Sequence, residues 1–194
     1  EQQLMGGNLR EAFHGAQELL RRAREAGEMA YPGADYDLAI ACRDGYVEAL
    51  LNRSNTYYHL KQFYSALEDL ERVAGITPDT VVLHFSRALI YAQMREYSKA
   101  LVSFQNALKK DPDNPEILIN LGTVYYFQGA YDSARLPLEK ALRQDSTQGN
   151  AYNTLALMEA QLGNQSQALA HINRALHFEP DDPYFLNNRG YVLL

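Results

Sequence analysis

Apolar residues recur along the chain at spacings of three and four residues, and the whole pattern returns every 34 residues. Small residues mark the repeat at Ala66, Ala100, Ala134 and Ala168. Two further columns follow at offsets of four and seven residues: Leu70, Phe104, Leu138 and Ile172, then Val73, Ala107, Ala141 and Ala175. These offsets place the side chains on one face of an α-helix. The pattern therefore predicts one amphipathic helix in each copy.

A second amphipathic helix precedes each of these helices. Its apolar face has two columns at the same 34-residue step: Leu50, Leu118, Tyr152 and Leu186, and Tyr57, Tyr91 and Tyr125. Short segments such as Lys61-Gln62 and Gly129-Ala130 separate the two helices, which is typical of an antiparallel hairpin turn. Proline cannot donate a helical hydrogen bond, so it ends the second helix at Pro78, Pro112 and Pro180. The sequence predicts repeated units of helix, turn and helix.

Four complete units are predicted at 47–80, 81–114, 115–148 and 149–182, followed at 183–194 by the first helix of a truncated fifth. Residues 1–46 match the columns less well and predict a degenerate N-terminal helical hairpin or a cap. Two short helices cannot bury an apolar face alone, so the units must stack on one another. The predicted fold class is an all-α solenoid.

The period of 34 and one run of residues in the third unit resemble tetratricopeptide repeats. The run is Leu121-Gly122, Tyr125, Gly129, Tyr131, Ala134, Leu138 and Ala141. The resemblance covers 47–194 and implies a right-handed α-solenoid of stacked antiparallel helix hairpins whose first helices line a concave face. The chain departs from the family pattern because it has no tryptophan, and because Glu159 and Gln165 replace tyrosines. We expect these departures to weaken packing locally.

Charge and composition exclude several classes of function. Acidic residues outnumber basic ones 24 to 18 without any basic block, so we do not expect nucleic acid as a partner. Cys42 is the only cysteine, which excludes an internal disulfide and a cysteine-rich metal site. No apolar run is long enough to span a membrane. The compartment stays open between the cytoplasm and, if a targeting segment was removed, the periplasm or another exported location.

No group of residues indicates catalysis. The histidines, His14, His59, His84, His171 and His177, lie in no catalytic or metal-binding motif. A glycine-rich phosphate loop is also absent from the sequence. We therefore expect no catalytic residue, no cofactor and no metal site.

The resemblance makes the exposed face of the first helices the candidate peptide-binding surface. This face combines aromatic, aliphatic and amide side chains, which give contact area and hydrogen bonds to an extended peptide. The expected residues are Leu51, Asn52, Asn55, Tyr58, Phe85, Leu89, Ile119, Asn120, Thr123, Tyr126, Asn153, Leu157, Asn187 and Tyr191. The alternative for the aliphatic members is packing against neighbouring second helices.

The same face predicts what kind of peptide would bind. Family members that hold the C-terminal carboxylate of chaperone tails use a clamp of Lys, Arg and Asn. At the matching places this chain has Leu51, Asn55, Ser86, Glu116 and Asn120, of which only Asn55 fits. A bound carboxylate would lose its hydration with little return, so we do not expect that partner. Glu48 and Glu116 favour a neutral or mildly basic protein or peptide.

The predicted function is a non-catalytic scaffold that binds a protein or peptide in the concave groove of the repeat stack. Two alternatives stay open. One is a targeting or regulatory arm of a larger enzyme or of a secretion or assembly machine that continues after Leu194. The other is a self-association module that uses the open C-terminal end, where Leu186, Val192 and Leu193 lack a second helix to cover them.

Overall fold

A computed structural model describes residues 36, 37, 39, 40 and 46–193. The hairpin or cap predicted over 1–46 otherwise lies outside the described residues. From residue 46 onward the described chain forms nine α-helices and no strand. They are α1 (Val47–His59), α2 (Phe63–Ile76), α3 (Val81–Gln93), α4 (Tyr97–Lys110), α5 (Pro115–Phe127), α6 (Tyr131–Gln144), α7 (Gly149–Gln161), α8 (Gln165–Phe178) and α9 (Pro183–Val192). Odd-numbered helices start 34 residues apart, and so do even-numbered ones, which confirms the all-α repeat.

The chain divides into two compact units whose boundary follows Ile90, within α3. In the first unit, α1 and α2 pack as a hairpin. Leu50, Leu70 and Val73 are fully buried between them. The hydroxyl of Ser54 donates a hydrogen bond of 2.9 Å to the carbonyl of Ala66, so the two backbones lie close together at this point.

Four helical residues precede α1: Tyr36, Asp37, Ala39 and Ile40. The carboxylate of Asp37 accepts a hydrogen bond from Arg53. The same contact recurs one repeat later, where Arg87 donates to Glu71 at 2.7 Å. Asp37 therefore occupies the place of a second-helix residue in the 34-residue register.

The second unit contains two complete hairpins, α5 with α6 and α7 with α8. The helix α4 packs against α5 at one end, and α9 packs against α7 and α8 at the other. Two clusters of buried side chains form its core (Leu118, Ile119, Ala134, Leu138, Ala141, Ala151, Leu155 and Met158; Ala156, Ile172, Ala175, Leu176 and Phe185). The first helices of successive repeats are neighbours, because α5 contacts α7 and α7 contacts α9.

Gly122 lies at the closest approach of α5 to α6. A Cβ atom there would lie 2.6 Å from Cγ of Leu138 and 3.2 Å from the carbonyl oxygen of Ala134. The helices reach this separation only because Gly122 has no side chain. At 34-residue steps the equivalent residues are also small: Ser54, Ala88 and Ala156.

The turn inside each hairpin contains one residue with a left-handed backbone. The angle φ is 59° at Lys61 and Arg95, 73° at Gly129 and 78° at Gly163. In the third repeat the amides of residues 129 and 130 donate to the carbonyls of residues 126 and 125, both at 2.9 Å, which is the Schellman pattern of a helix end. Glycine adopts this conformation freely and other residues do not, so Lys61 and Arg95 are strained.

Replacing Gly122 with Ala is expected to lower the free energy of unfolding by about 1–3 kcal/mol, because the added methyl overlaps Leu138 and the Ala134 carbonyl. Gly75, within α2, is the matched control, since a Cβ there would meet nothing within 4 Å. Gly75→Ala should raise stability by up to about 1 kcal/mol. Urea denaturation followed by circular dichroism measures both changes. Equal effects of the two substitutions would contradict the role given to the close approach.

Replacing Arg95 with Gly is expected to raise the free energy of unfolding by about 1 kcal/mol, because it removes the left-handed strain. Gly129→Ala introduces that strain at the matching position and should lower stability by a similar amount. The same denaturation measurement applies. If Arg95→Gly and Gly129→Ala shift the midpoint in the same direction, the strain at this turn position is not what limits stability.

Candidate functional site

A polar cleft of about 360 Å³ lies between α5 and α7, which are neighbouring first helices. We name it the α5–α7 cleft. Its walls are Glu116, Ile119, Asn120 and Thr123 on one side and Gln148, Asn150, Asn153 and Thr154 on the other. Spacings of three and four residues place the α5 members on one face of that helix. The structure thus brings together four of the residues expected from the sequence: Ile119, Asn120, Thr123 and Asn153.

Two asparagines in this cleft each use one atom of the side-chain amide for a hydrogen bond within the protein. The side-chain nitrogen of Asn120 donates to the carbonyl of Glu116 at 2.9 Å. The side-chain oxygen of Asn153 accepts a bond of 2.8 Å from Asn188 on α9. In the described part of the chain, no hydrogen bond engages the oxygen of Asn120 or the nitrogen of Asn153. One wall of the cleft therefore offers an acceptor and the other offers a donor.

Two threonine hydroxyls connect the walls. The hydroxyls of Thr123 and Thr154 lie 3.2 Å apart across the α5–α7 cleft. Each also lies within hydrogen-bond distance of a carbonyl one turn earlier, Ile119 at 2.9 Å and Asn150 at 3.0 Å. A hydroxyl has a single proton, so at any moment one of the two donates to its helix and the other can donate across the cleft. This contact fixes the spacing of α5 and α7.

The charged groups nearest to the α5–α7 cleft include two carboxylates. Glu116 is exposed at the start of α5. Asp145 accepts hydrogen bonds from the hydroxyl and amide of Thr147 and from the side chain of Gln148, and these bonds lower the pKa of Asp145. The lowered pKa keeps Asp145 ionised at neutral pH, and this negative charge disfavours an anionic ligand.

The other expected residues lie elsewhere on the first helices. Tyr126 and Leu157 are half-buried, whereas Asn187 and Tyr191 are exposed. The hydroxyl of Tyr191 accepts a bond of 2.6 Å from Gln161, so α9 and α7 are linked at this point. In the first unit Asn52 and Asn55 are exposed, and Leu51, Tyr58, Phe85 and Leu89 are half-buried. Within the cleft, Ile119 is only 7% exposed, so its side chain serves mainly as packing.

Tyr126 belongs to an aromatic cluster at the C-terminal end of α5. Its ring centroid lies 5.4 Å from that of Phe127 and 6.0 Å from that of Tyr131. Phe127 also stacks on Tyr97, with centroids 6.2 Å apart and ring planes 7° from parallel. Burial raises the pKa of Tyr126, so the phenol stays protonated well above neutral pH. Phe127 is 60% exposed and adds apolar contact area at the surface.

Four lining residues were not in the peptide-binding set expected from the sequence: Glu116, which was considered only for its charge, and Gln148, Asn150 and Thr154. The repeat contained the signal for two of them, because Asn150 and Thr154 follow Glu116 and Asn120 by 34 residues. Gln148 precedes α7 in a connecting segment, where helical periodicity carries no information.

A buried carboxylate links the α7 wall to the helices behind it. Glu159 is fully buried and accepts bonds from Arg135 on α6 at 2.6 Å and from Asn164, just before α8, at 2.7 Å. Burial raises the pKa of Glu159, but the hydrogen bonds from Asn164 and Arg135 together outweigh it and leave the pKa below its ordinary value. An ion pair thus occupies the position that holds tyrosine in the three preceding repeats, at Tyr57, Tyr91 and Tyr125.

Over the described ranges, no group of three or more His, Cys, Asp or Glu side chains could hold a metal ion. None of the described helices has the length and apolar character required to cross a membrane.

Family models match three segments of the chain. A model described as TPR repeat matches residues 95–129, and two described as tetratricopeptide repeat match 116–143 and 47–80. No curated protein matches the chain significantly. The models over 47–80 and 116–143 each match one hairpin, α1 with α2 and α5 with α6, whereas the model over 95–129 matches α4 and α5.

Solved structures of tetratricopeptide repeat proteins share the fold. One from Parabacteroides merdae has a TM-score of 0.75 at 18% identity and covers 94% of this chain and 72% of its own. A thermophilic one from Thermus thermophilus has a TM-score of 0.71 at 21% identity, covering 93% and 98%. YrrB, described as having an unusual peptide-binding site, has a TM-score of 0.66 at 18% identity, covering 92% and 90%.

The hairpins, their 34-residue register and the small residues between paired helices define a helical-repeat protein of the protein-interaction scaffold class. The chain is a tetratricopeptide repeat protein.

Glu159→Gln is expected to lower the free energy of unfolding at neutral pH by about 1–3 kcal/mol, because it leaves Arg135 and Asn164 without their anionic acceptor. The folded-state pKa of Glu159 lies below its ordinary value, so the stabilisation is complete at neutral pH. It is lost on acidification, as the pH falls below the ordinary pKa of a glutamate and through the lowered pKa of Glu159. The difference between variant and wild type should therefore shrink on acidification. Glu68→Gln, at an exposed position of α2, is the control; a pH-independent effect at residue 159 would contradict the ion pair.

Proposed function

We propose that the chain is a non-catalytic scaffold that binds a protein or peptide segment along its first helices, with the α5–α7 cleft as the central contact. The observation that carries the proposal is the pairing of an unengaged acceptor on Asn120 with an unengaged donor on Asn153 across the cleft. A peptide group presents one N–H and one C=O, so an extended backbone laid in the cleft can satisfy both.

Side chains beyond the cleft would extend the contact. Tyr126 and the exposed ring of Phe127 provide apolar area at one end of α5, and Asn187 and Tyr191 provide polar groups on α9. Leu157 belongs to the same proposed surface. The matching residues of the first unit are proposed to serve the same role: Leu51, Asn52, Asn55, Tyr58, Phe85 and Leu89. The fold of YrrB, which by its description binds peptide at an unusual site, is compatible with this use.

Charge supports a neutral or mildly basic ligand rather than a terminal carboxylate. The carboxylate of Glu116 lines the α5–α7 cleft, the carboxylate of Asp145 binds the lining residue Gln148, and the residues that line the cleft include no Lys or Arg. A ligand carboxylate would meet repulsion without a cation to offset the loss of its hydration. A basic side chain beside the bound backbone would instead be attracted.

The test is to select short random peptides on the full chain and to measure their affinity for variants by fluorescence anisotropy. Asn120→Ala and Asn153→Ala should each weaken binding by about five-fold, the equivalent of one hydrogen bond. Asn173→Ala, at an exposed position of α8, is the matched control and should change nothing. Circular dichroism verifies that each variant folds.

Two results would contradict the proposal. One is equal affinity of the selected peptides for Asn120→Ala and Asn173→Ala. The other is enrichment of peptides that bind through a free C-terminal carboxylate. Amidation of the C-terminus tests this, because the expected ligands should keep their affinity when that carboxylate is removed.

A further inference from the structure

A second cavity, of about 530 Å³, lies on another face of α5, against α6. We name it the α5–α6 cavity. Its apolar lining comes from Leu118, Leu121, Tyr125, Leu136 and Pro137. On a helix of 3.6 residues per turn, residues 118, 121 and 125 point about half a turn away from 116, 119 and 123. The cavity is therefore separate from the polar α5–α7 cleft.

The cavity lies where two residues differ from their counterparts in the first repeat. Two repeats earlier, Leu121 corresponds to Arg53 and Pro137 corresponds to Asp69. There the guanidinium of Arg53 binds both carboxylate oxygens of Asp69, with its Nε 2.8 Å from one of them. These paired side chains fill the space between the two helices. Leu121 and Pro137 are shorter and uncharged, so the third repeat leaves the space open and apolar.

The charged residues at equivalent positions of successive repeats support this explanation of the cavity. Asp37 and Glu71 each accept a bond from the arginine 16 residues later, Arg53 and Arg87. The next pair in that register is residue 105, a glutamine, and Leu121. Arginine and acid are thus lost together in the third repeat, and the cavity contains no guanidinium.

Proline also removes one helical hydrogen bond beside the cavity. Pro137 has no N–H, so the carbonyl of Ser133, four residues earlier, lacks its usual helical donor. Ser133 lies in the cavity lining and is exposed. An apolar cavity beside a carbonyl that lacks its helical donor fits a ring that carries a single N–H donor.

The charged residues of the cavity lining are Lys140 and Asp132, and among the described residues only Asp132 lacks an ion-pair partner. Lys140 donates to the carbonyl of Pro112 at 2.7 Å and pairs with Asp113 at 3.0 Å, so its charge is engaged. Asp132 is exposed at the rim and forms no ion pair with any described residue. A basic group beside the bound ring would complement this carboxylate.

We propose that the α5–α6 cavity is a second docking site. It binds the side chain of a tryptophan of a partner protein, and a basic residue directly follows that tryptophan in the partner's sequence. The proposal extends the scaffold function, since one helix would then hold two partners on opposite faces. It does not use the asparagines of the α5–α7 cleft, so the two proposals can fail separately.

The probes are two capped dipeptides, acetyl-Trp-Arg-amide and acetyl-Trp-Glu-amide, titrated into the full chain with ¹³C-labelled leucine methyls. Saturable shifts of the Leu118 and Leu136 methyl signals are expected with the basic probe. The acidic probe should bind about two- to five-fold more weakly, a difference that shrinks at high salt. Equal binding of the two probes, or shifts confined to methyls outside the cavity, would overturn the assignment.

The double variant Leu121→Arg/Pro137→Asp rebuilds the ion pair of the first repeat and should fill the cavity. Binding of acetyl-Trp-Arg-amide should fall about ten-fold or more, while circular dichroism stays unchanged. Leu136→Ser is a second variant at a side chain that is 68% exposed, so the fold does not depend on it, and it should weaken binding about five-fold.

Asn120→Ala is the matched control. It should weaken the binding of peptides in the α5–α7 cleft and leave the binding of the dipeptide to the α5–α6 cavity unchanged. Unchanged dipeptide binding in Leu136→Ser, or loss of dipeptide binding in Asn120→Ala, would overturn the proposed docking site. Unchanged binding in a folded double variant would do the same.

Discussion

The close approach of paired helices through a small residue is the contact on which the rest of this structure depends. At Gly122 the space that a Cβ would need is taken by Leu138 and by the backbone of Ala134. In the first hairpin Ser54 makes the same approach and bonds the Ala66 carbonyl directly. The paired helices can come this close at both places only because the residue on the first helix is small.

The 34-residue period was sufficient to predict the helices and their turns, because it records which residues are buried in every copy. It could not predict how exposed residues of successive copies combine. The bond from Asn188 to Asn153 joins residues 35 positions apart, and the contact of Thr123 with Thr154 depends on the distance between neighbouring first helices. The candidate face could be predicted from the sequence. The sequence could not predict which atom of each asparagine side-chain amide forms a hydrogen bond within the protein and which one is open to a ligand.

Differences between copies are more informative about function than their shared core. The register position that is Arg53 in the first repeat becomes Leu121 in the third, and an ion pair is replaced by a cavity. In the fourth repeat Glu159 takes a tyrosine position, and Arg135 supplies the countercharge that lets a carboxylate be buried there. The packing of small residues tolerates both exchanges, because neither lies at the point where the helices touch. Surfaces can therefore change from copy to copy while the fold is retained.

The α5–α7 cleft is preorganised for a ligand, which bears on how tightly a short peptide can bind. Fixing a mobile side chain on binding costs roughly 0.5–1.5 kcal/mol. Asn120 and Asn153 are already held by the Glu116 carbonyl and by Asn188, so most of that cost is met when the chain folds. Exposed Asn187 has no such restraint among the described residues. Most of the binding affinity for a peptide should therefore come from the contacts between α5 and α7. The contacts on α9 should contribute mainly to specificity for the peptide sequence.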